Sequence, residues 1–238
     1  MSEKKTVLIT GATSGIGLEM VKKFAINNWN VIGLGRNDSM LKNMMKDHQL
    51  ETRVHFYQCD LGDNSQIEDV YLQIAEKFST IDVLINNAGV LILKPFMELT
   101  TEEFEQMWQV NMHAVFMLTK LVLPGMIERK NGTIVNISSL AGKNGFKTGT
   151  GYGATKWALR GFAASLMQEV REHNIRVITV FPGSVNTPMI RRAPNFADPD
   201  SIIQPNEIAD VVFQAVSLPG NTTVSEIDIR PTNPKYGG

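Results

Sequence analysis

Cysteine is almost absent from this chain, which has a single one, Cys59, among its 238 residues. A lone cysteine cannot form an internal disulfide, so a disulfide-stapled secreted scaffold is excluded and a reducing compartment is favoured. The four histidines show no spacing typical of metal ligands. We therefore expect a protein without a metal site.

Neither sign of charge dominates, because the chain has 23 basic and 24 acidic side chains and a formal net charge of -1. A near-neutral chain has no general attraction to nucleic acid or to a membrane surface. No apolar run approaches the roughly 20 residues that a membrane helix needs. The first residues, Met1–Lys5, do not lead into the apolar segment of a signal peptide. We expect a cytoplasmic protein without nucleic-acid or membrane partners.

Apolar strand patterns and helical patterns alternate along the whole chain. The predicted strands cover residues 6–10, 30–34, 53–58, 82–85, 132–137, 175–181 and 224–229. This alternation predicts one α/β domain over residues 1–238, a doubly wound parallel sheet of about seven strands flanked by helices. The segment from about 188 to 205 is long for a connection and rich in proline. We expect it to form a lid over a binding site.

A glycine-rich turn, GATSGIG at residues 11–17, joins the first predicted strand to the first predicted helix. Its glycines allow a tight turn and a close approach to phosphate, and the helix N-terminus offers free N–H groups to a pyrophosphate. Although the spacing is GxxxGxG rather than GxGxxG, its context favours phosphate binding over a plain turn. The predicted sheet is thus a dinucleotide-binding fold of the Rossmann type. The expected phosphate-binding residues are Gly11, Thr13, Ser14, Gly15, Ile16 and Gly17.

The residues after the second strand bear on the choice of cofactor. In such folds an acid at this point accepts from the ribose 2′-OH of NADH, whereas an arginine neutralises the 2′-phosphate of NADPH. The first charged residue here is Arg36, with Asn37 as a second donor, so NADP(H) is expected over NAD(H). Asp38 could instead serve NADH or cap the next helix. Asp60 and Leu61 follow the third strand and are expected near the adenine.

Tyr152 and Lys156 lie four residues apart in a predicted helix, so their side chains leave the same face. A nearby ammonium lowers the pKa of a phenol from its usual value of about 10. A phenol tuned in this way can give a proton to a carbonyl oxygen or take one from an alcohol. Because this pair is common by chance, its meaning depends on the other motifs.

Together the motifs closely resemble the short-chain dehydrogenase/reductase family over essentially the whole chain, and in particular small bacterial members similar to 3-oxoacyl-carrier-protein reductases. Ser139 stands thirteen residues before Tyr152, as in that family. The other matching parts are residues 10–17, the Asn-Asn-Ala-Gly segment 86–89, Asn111, Lys156, and Pro182-Gly183 leading to Thr187.

The resemblance implies four catalytic residues, which are Asn111, Ser139, Tyr152 and Lys156. Tyr152 would be the general acid/base, and Lys156 would lower its pKa and bind the nicotinamide ribose. Ser139 would hold the substrate oxygen. Asn111 would hold a water that links Lys156 to solvent, with a local distortion of its helix. Tyr152 and Lys156 are also expected to contact the cofactor, and the further cofactor-binding residues that the resemblance implies are Asn87, Ala88, Gly89, Pro182, Gly183, Val185 and Thr187.

We therefore expect an NADP(H)-dependent oxidoreductase that transfers a hydride between the cofactor and a carbonyl or secondary alcohol. An NAD(H)-dependent alcohol or hydroxy acid dehydrogenase is the alternative within the family. A non-catalytic cofactor-binding regulator is disfavoured because all four catalytic residues are present. A nucleotide-sugar epimerase or dehydratase is disfavoured because those relatives are usually longer and have a differently spaced glycine-rich turn.

Several apolar residues stand where the family places substrate-facing segments and suggest an apolar body, although core packing explains some of them as well. They are residues 90–93, Phe146, Met189 and Ile190. The resemblance implies a 3-oxoacyl thioester as one candidate substrate, and a simple hydroxy acid or small ketone as another. Arg191 and Arg192 could bind an anionic group of the substrate, but two adjacent arginines in a loop are more often solvated.

The helices that carry Asn111 and Tyr152 resemble those through which family members pair. The first is predicted to begin at a capping box, residues 100–103, and to run toward Pro124. It carries more apolar side chains than one buried face needs, and these are Phe104, Met107, Trp108, Phe116 and Met117. We expect a homotetramer, or next a homodimer, while packing inside the monomer is the alternative.

Overall fold

A computed structural model describes residues 4–192 and 201–233 of the chain. Strands and helices alternate along it. The strands are β1 (Thr6–Thr10), β2 (Asn30–Gly35), β3 (Val54–Gln58), β4 (Val83–Asn86), β5 (Gly132–Ile137), β6 (Ile175–Pro182) and β7 (Glu226–Ile229). The α-helices are α1 (Gly15–Ile26), α2 (Ser39–Asp47), α3 (Asn64–Lys77), α4 (Thr101–Trp108), α5 (Ala114–Arg129), α6 (Thr150–Val170) and α7 (Pro205–Ser217).

All seven strands form one sheet in the order β3-β2-β1-β4-β5-β6-β7, and every pairing is parallel. The predicted strand ends agree with the observed ones within two residues. The strand order reverses between β1 and β4, and ligands of doubly wound folds bind at the carboxyl ends of the strands beside such a switch point. The predicted α/β fold is confirmed.

Helices cover both faces of the sheet, which is why its central strands are continuous apolar runs. Val7 and Ile9 of β1 pack in one core layer with Phe24 of α1. Leu8, between them, points to the opposite layer and packs with Leu118 of α5. Because successive side chains of a strand point to opposite faces, β1 contributes to the core layers on both sides of the sheet.

The helical segment from α4 to α5 begins as predicted and ends later. Thr100 Oγ1 accepts from the Glu103 N–H, and the Glu103 carboxylate accepts from the Thr100 N–H, which confirms the capping box. The segment passes through Pro124 and ends at Arg129. By length and composition it could cross a membrane, which the sequence analysis overlooked, but such helices are also found in soluble cores. Here α5 packs against the sheet and α3.

The segment predicted as a lid, about 188–205, is described at its two ends. A 3₁₀ turn covers Ile190–Arg192. Near the other end, Ile203 pairs with Val185 in a parallel bridge and accepts from the Asn186 N–H. Residues 193–200 lie outside the described residues, so the prediction of a lid remains a prediction.

Candidate active site

A cleft of about 2060 Å³ runs along the carboxyl edge of the sheet. It exceeds the roughly 300–1,000 Å³ of a site for one drug-sized ligand, so it has room for a dinucleotide and a small substrate. The predicted site residues that line it are Gly11, Thr13, Ser14, Gly15, Ile16, Arg36, Asp60, Leu61, Asn87, Ala88, Gly89, Ser139, Tyr152, Lys156, Pro182, Gly183, Val185 and Thr187. Three predicted residues are not part of this lining, and these are Gly17, Asn37 and Asn111.

The glycine-rich turn has the backbone that phosphate binding requires. Gly11 and Gly15 have φ of 63° and 53°, in the left-handed region that favours glycine. Ser14, at the N-cap of α1, makes no side-chain capping bond, so it does not occupy the N–H groups of the first turn. A Cβ at Gly17 would collide with the Gly11 carbonyl oxygen. The turn fits a pyrophosphate, and Gly17 allows the helix to pack closely on the turn.

Asn87 fastens the glycine-rich turn to the neighbouring strand. Its Nδ2 donates to the Thr10 carbonyl oxygen at 2.8 Å and to the Gly11 carbonyl oxygen at 3.3 Å. The Thr10 hydroxyl oxygen accepts from the N–H groups of Asn87 and Ala88 at 2.9 and 3.0 Å. These bonds join the ends of β1 and β4, so the predicted phosphate and nicotinamide regions form one rigid edge.

The segment after β2 presents a cation to the cleft. Of residues 35–38, Gly35 and Arg36 line the cleft. Asn37 Oδ1 accepts from the N–H and the hydroxyl of Ser39, at 2.8 and 2.6 Å, at the start of α2. Asp38 forms an ion pair with Lys42 at 2.8 Å on its own helix. Only the amide oxygen of Asn37 is used in these bonds and its Nδ2 donor is not, so the role of Asn37 as a second donor to the cofactor remains a prediction.

Ser139, Tyr152 and Lys156 meet where α6 packs on the end of β5. The Lys156 amine donates to the Ile137 carbonyl oxygen at 3.0 Å and lies 5.7 Å from the centre of the Tyr152 ring. Ser139 Oγ accepts from the Ala141 N–H at 3.1 Å and is hydrogen-bonded to Tyr152. The hydroxyls predicted to hold one substrate oxygen are thus adjacent.

Burial controls the proton affinities of this group. It raises the pKa of Tyr152 to about 12, although the hydrogen bond with Ser139 lowers the pKa. Burial also lowers the pKa of Lys156 to about 8. The expected lowering of the Tyr152 pKa by Lys156 is not found here, because desolvation of the phenol dominates and the amine binds the Ile137 carbonyl. At neutral pH Tyr152 is a neutral phenol, the form that can donate a proton.

Asn111 lies in a π-turn, Gln109–His113, between α4 and α5, which confirms the predicted distortion of its helix. Its Oδ1 accepts from the Val90 N–H at 2.7 Å, and its Nδ2 donates to the Val90 carbonyl oxygen at 2.9 Å and to Thr155 Oγ1 at 3.0 Å. The amide thus fixes the segment after β4 against α6. These bonds use both N–H groups of Nδ2, whereas Oδ1 accepts only one and keeps a second lone pair, so the water-holding role remains a prediction.

A sequence profile described as short chain dehydrogenase matches residues 5–197. The chain belongs to this family. It is 34% identical over 220 residues to a 3-oxoacyl-[acyl-carrier-protein] reductase of Thermotoga maritima, with 89% of each chain covered. It is 31% identical to an NADP-dependent 3-hydroxy acid dehydrogenase of Salmonella typhi, covering 98% of this chain and 97% of the other. A metagenomic short-chain oxidoreductase solved with NADP superposes with a TM-score of 0.84 at 32% identity, covering 96% and 97%.

This short-chain dehydrogenase has cleft residues that the sequence analysis missed, of which Arg230 is the most informative. It follows β7 directly and lines the cleft. The rule that placed the other site residues, that ligands meet the carboxyl ends of the strands, would have found it. Arg191 and Arg192 do not line the cleft, whereas Val90, Leu91, Leu93, Phe146, Met189 and Ile190 do.

Lys156→Met should alter how the stability of this short-chain dehydrogenase depends on pH. The pKa of Lys156 falls from 10.5 to about 8 on folding, so the native state binds fewer protons than the unfolded chain between these values. Burying the charged amine therefore lowers the free energy of unfolding by its full amount below the folded pKa. This destabilisation decreases as the pH rises toward 10.5. Relative to the variant, the wild type should gain about 2 kcal/mol between about pH 7 and pH 9.5.

Urea unfolding of both proteins at the two pH values measures this difference. Lys120→Met, at an exposed lysine of α5, is the control and should show no such gain. Equal pH dependence in wild type and Lys156→Met would mean that the buried amine keeps its ordinary pKa.

Proposed function

We propose that the protein is an NADP(H)-dependent oxidoreductase that reduces the carbonyl of a small substrate to a secondary alcohol, and reverses this step when the alcohol is in excess. The observation that carries the proposal is the neutral, buried phenol of Tyr152 beside the Ser139 hydroxyl in the cleft. Support also comes from Arg36 at the end of β2 and from relatives described as NADP-dependent or solved with NADP.

Each residue has a defined task in the reduction. Bound NADPH would supply the hydride. The glycine-rich turn and α1 bind the pyrophosphate, and Arg36 binds the 2′-phosphate. Ser139 donates to the substrate oxygen, and Tyr152 transfers its proton to that oxygen as negative charge develops there. Lys156 would bind the nicotinamide ribose, the second role that the resemblance implies for it.

The substrate that fits best is a short oxo acid or the corresponding hydroxy acid. Val90, Leu91 and Phe146 provide apolar surface for a short carbon body in the cleft. Two relatives that match over most of their length are named as a 3-hydroxy acid dehydrogenase and a 3-oxoacyl-[acyl-carrier-protein] reductase. Incubation with NADPH and a panel of short 3-oxo acids, their esters and simple ketones, followed by nicotinamide absorbance, tests the proposal. No oxidation of NADPH with any carbonyl would contradict it, and faster reaction with NADH would reject the cofactor assignment.

We also propose that the enzyme is a cytoplasmic homotetramer built through α5 and α6. Phe116 on α5 and Trp157 on α6 are 46% and 49% exposed, and the Phe116 ring lies 6.3 Å from that of Phe162. Apolar surface of this kind is typical of an interface. Of the five residues predicted as surplus apolar surface, Met107 is fully buried within the monomer.

Trp157→Glu should weaken this assembly, because a charge would be buried in the proposed interface without a partner. Light scattering should give a wild-type mass well above the 26.4 kDa of one chain. The variant should shift toward dimers or monomers at micromolar concentration. Leu72→Glu on α3, where the leucine is 62% exposed, is the matched control and should leave the mass unchanged. A monomeric wild type would reject the assembly.

A further inference from the structure

Arg230 lies at the reaction end of the cleft rather than at its adenosine end. The residue before it, Ile229, accepts through its carbonyl oxygen from the Gly183 N–H at 2.8 Å. The residue after it, Pro231, is close enough to Gly183 to touch a Cβ placed there. Leu140, which follows Ser139, packs against the same glycine. The Arg230 backbone is therefore held beside the segment that follows β6 and next to the Ser139 turn.

A cluster of charges around β7 leaves Arg230 only weakly paired. Lys143 forms ion pairs with Glu226 at 2.8 Å and with Asp228 at 2.5 Å. Arg160 donates twice to Glu226, at 2.8 and 3.2 Å. Among the described residues Arg230 forms an ion pair with Asp228 alone, at 3.5 Å, and its side chain is 53% exposed. Three cations thus share two carboxylates, and Arg230 has the longest of these contacts.

The other two cations of this cluster are committed elsewhere. The Lys143 ammonium lies 4.1 Å from the centre of the Phe181 ring and is mostly buried between its two carboxylates. The Arg160 guanidinium also lies over the Phe181 ring, 5.7 Å from the ring centre. Neither residue lines the cleft, whereas Arg230 does. The excess positive charge of the cluster is therefore presented to the cleft by Arg230.

The remaining charged residues of the cleft do not compete for the same role. Within the described part of the chain they are Arg36, Asp60 and Asp63 at the adenosine end, Glu102 and Glu105 on α4, and the catalytic Lys156. Arg191, considered from the sequence as an anion-binding residue, donates through Nε to Asn186 Oδ1 at 2.8 Å and does not line the cleft. Among the described cations that line the cleft, Arg36 is assigned to the adenosine end and Lys156 to catalysis. Arg230 is the one without an assigned role.

We propose that Arg230 determines substrate specificity by binding a carboxylate of the substrate, so that the enzyme favours an oxo acid over an equally sized neutral ketone. The inference rests on the proposed carbonyl reduction at Tyr152. A guanidinium presents two parallel N–H groups to a carboxylate, and its long bond to Asp228 leaves it able to turn toward a second anion. Substrate binding would then complete the charge balance of the cluster.

The test compares 3-oxobutanoate with its methyl ester, which has the same reacting ketone without the charge. The wild type should prefer the acid. Arg230→Gln should lower kcat/KM for the acid by about 10- to 150-fold, mainly through KM, as expected for loss of a charge-assisted hydrogen bond. The ester should change by less than about twofold, since a neutral group gains little from the cation. Arg230→Lys should recover part of the loss, because charge remains but the planar fork is lost.

Arg192→Gln is the matched control, because it removes the same charge from an exposed arginine that does not line the cleft. It should leave both substrates unaffected. Equal loss for acid and ester in Arg230→Gln, or no loss for either, would overturn the proposal. An enzyme that reduces the ester without preferring the acid would keep the proposed function and remove the role of Arg230.

A binding measurement distinguishes failure of the Arg230 contact from failure of the proposed carbonyl reduction. Butanoate cannot be reduced, so calorimetric titration of butanoate into the protein with NADP⁺ reports the carboxylate contact without turnover. Binding that weakens at least about tenfold in Arg230→Gln supports the contact, on the scale of one charge-assisted hydrogen bond. Unchanged butanoate binding overturns it, and absence of NADPH oxidation with every ketone argues against the proposed function alone.

Discussion

Tyr152→Phe should reduce turnover by at least about 10², the scale of general acid–base catalysis. The change removes the proton that the phenol gives to the substrate oxygen and leaves the buried ring in place. Burial raises the pKa of this phenol to about 12, far above neutral, and at neutral pH almost every wild-type molecule carries the proton. Cofactor affinity should change little, since the lost hydroxyl interacts with Ser139.

Single-turnover reduction with saturating NADPH measures this loss directly, and cofactor titration measures whether binding is retained. Tyr71→Phe is the matched control, because the Tyr71 hydroxyl donates to the Leu121 carbonyl oxygen at 2.7 Å away from the cleft. It should have wild-type turnover. If Tyr152→Phe also turns over at a rate near that of the wild type, Tyr152 is not the proton donor.

Arg36→Ala should raise KM for NADPH by about 10- to 150-fold, which corresponds to loss of a charge-assisted hydrogen bond of roughly 1.5–3 kcal/mol. KM for NADH should stay nearly unchanged, because NADH lacks the 2′-phosphate. Since Arg36 is exposed, the difference between the cofactors should shrink as the salt concentration rises.

Lys46→Ala is the neighbouring control for this prediction. It removes an exposed cation of α2 that does not line the cleft, so neither Michaelis constant should move. Steady-state kinetics with both cofactors at two salt concentrations provides the measurement. If Arg36→Ala weakens NADPH and NADH equally, or if the wild type prefers NADH, Arg36 does not bind the phosphate.

Much of the fold could be predicted from the sequence because its signals are local. Strands buried on both faces must be continuous apolar runs, and those near residues 6–10 and 132–137 were predicted with the ends that the structure has. The turn at residues 11–17 needs glycine at positive φ, which leaves a recognisable mark in the sequence. The helix end at Arg129 could not be predicted in this way, because packing of α5 on the sheet outweighs the preference of Pro124 to break a helix.

The sequence by itself determined the α/β class, the glycine-rich turn, the family resemblance and the residues that converge on one edge of the sheet. Only the tertiary structure decided how these groups are used. Asn111 is hydrogen-bonded to Val90 and Thr155, and Arg230 reaches the cleft while Arg191 does not. Burial raises the pKa of Tyr152, although Lys156 is its neighbour on the helix. Spacing along a chain sets which groups can be close, but desolvation and hydrogen-bond partners come from distant segments, and these set their chemistry.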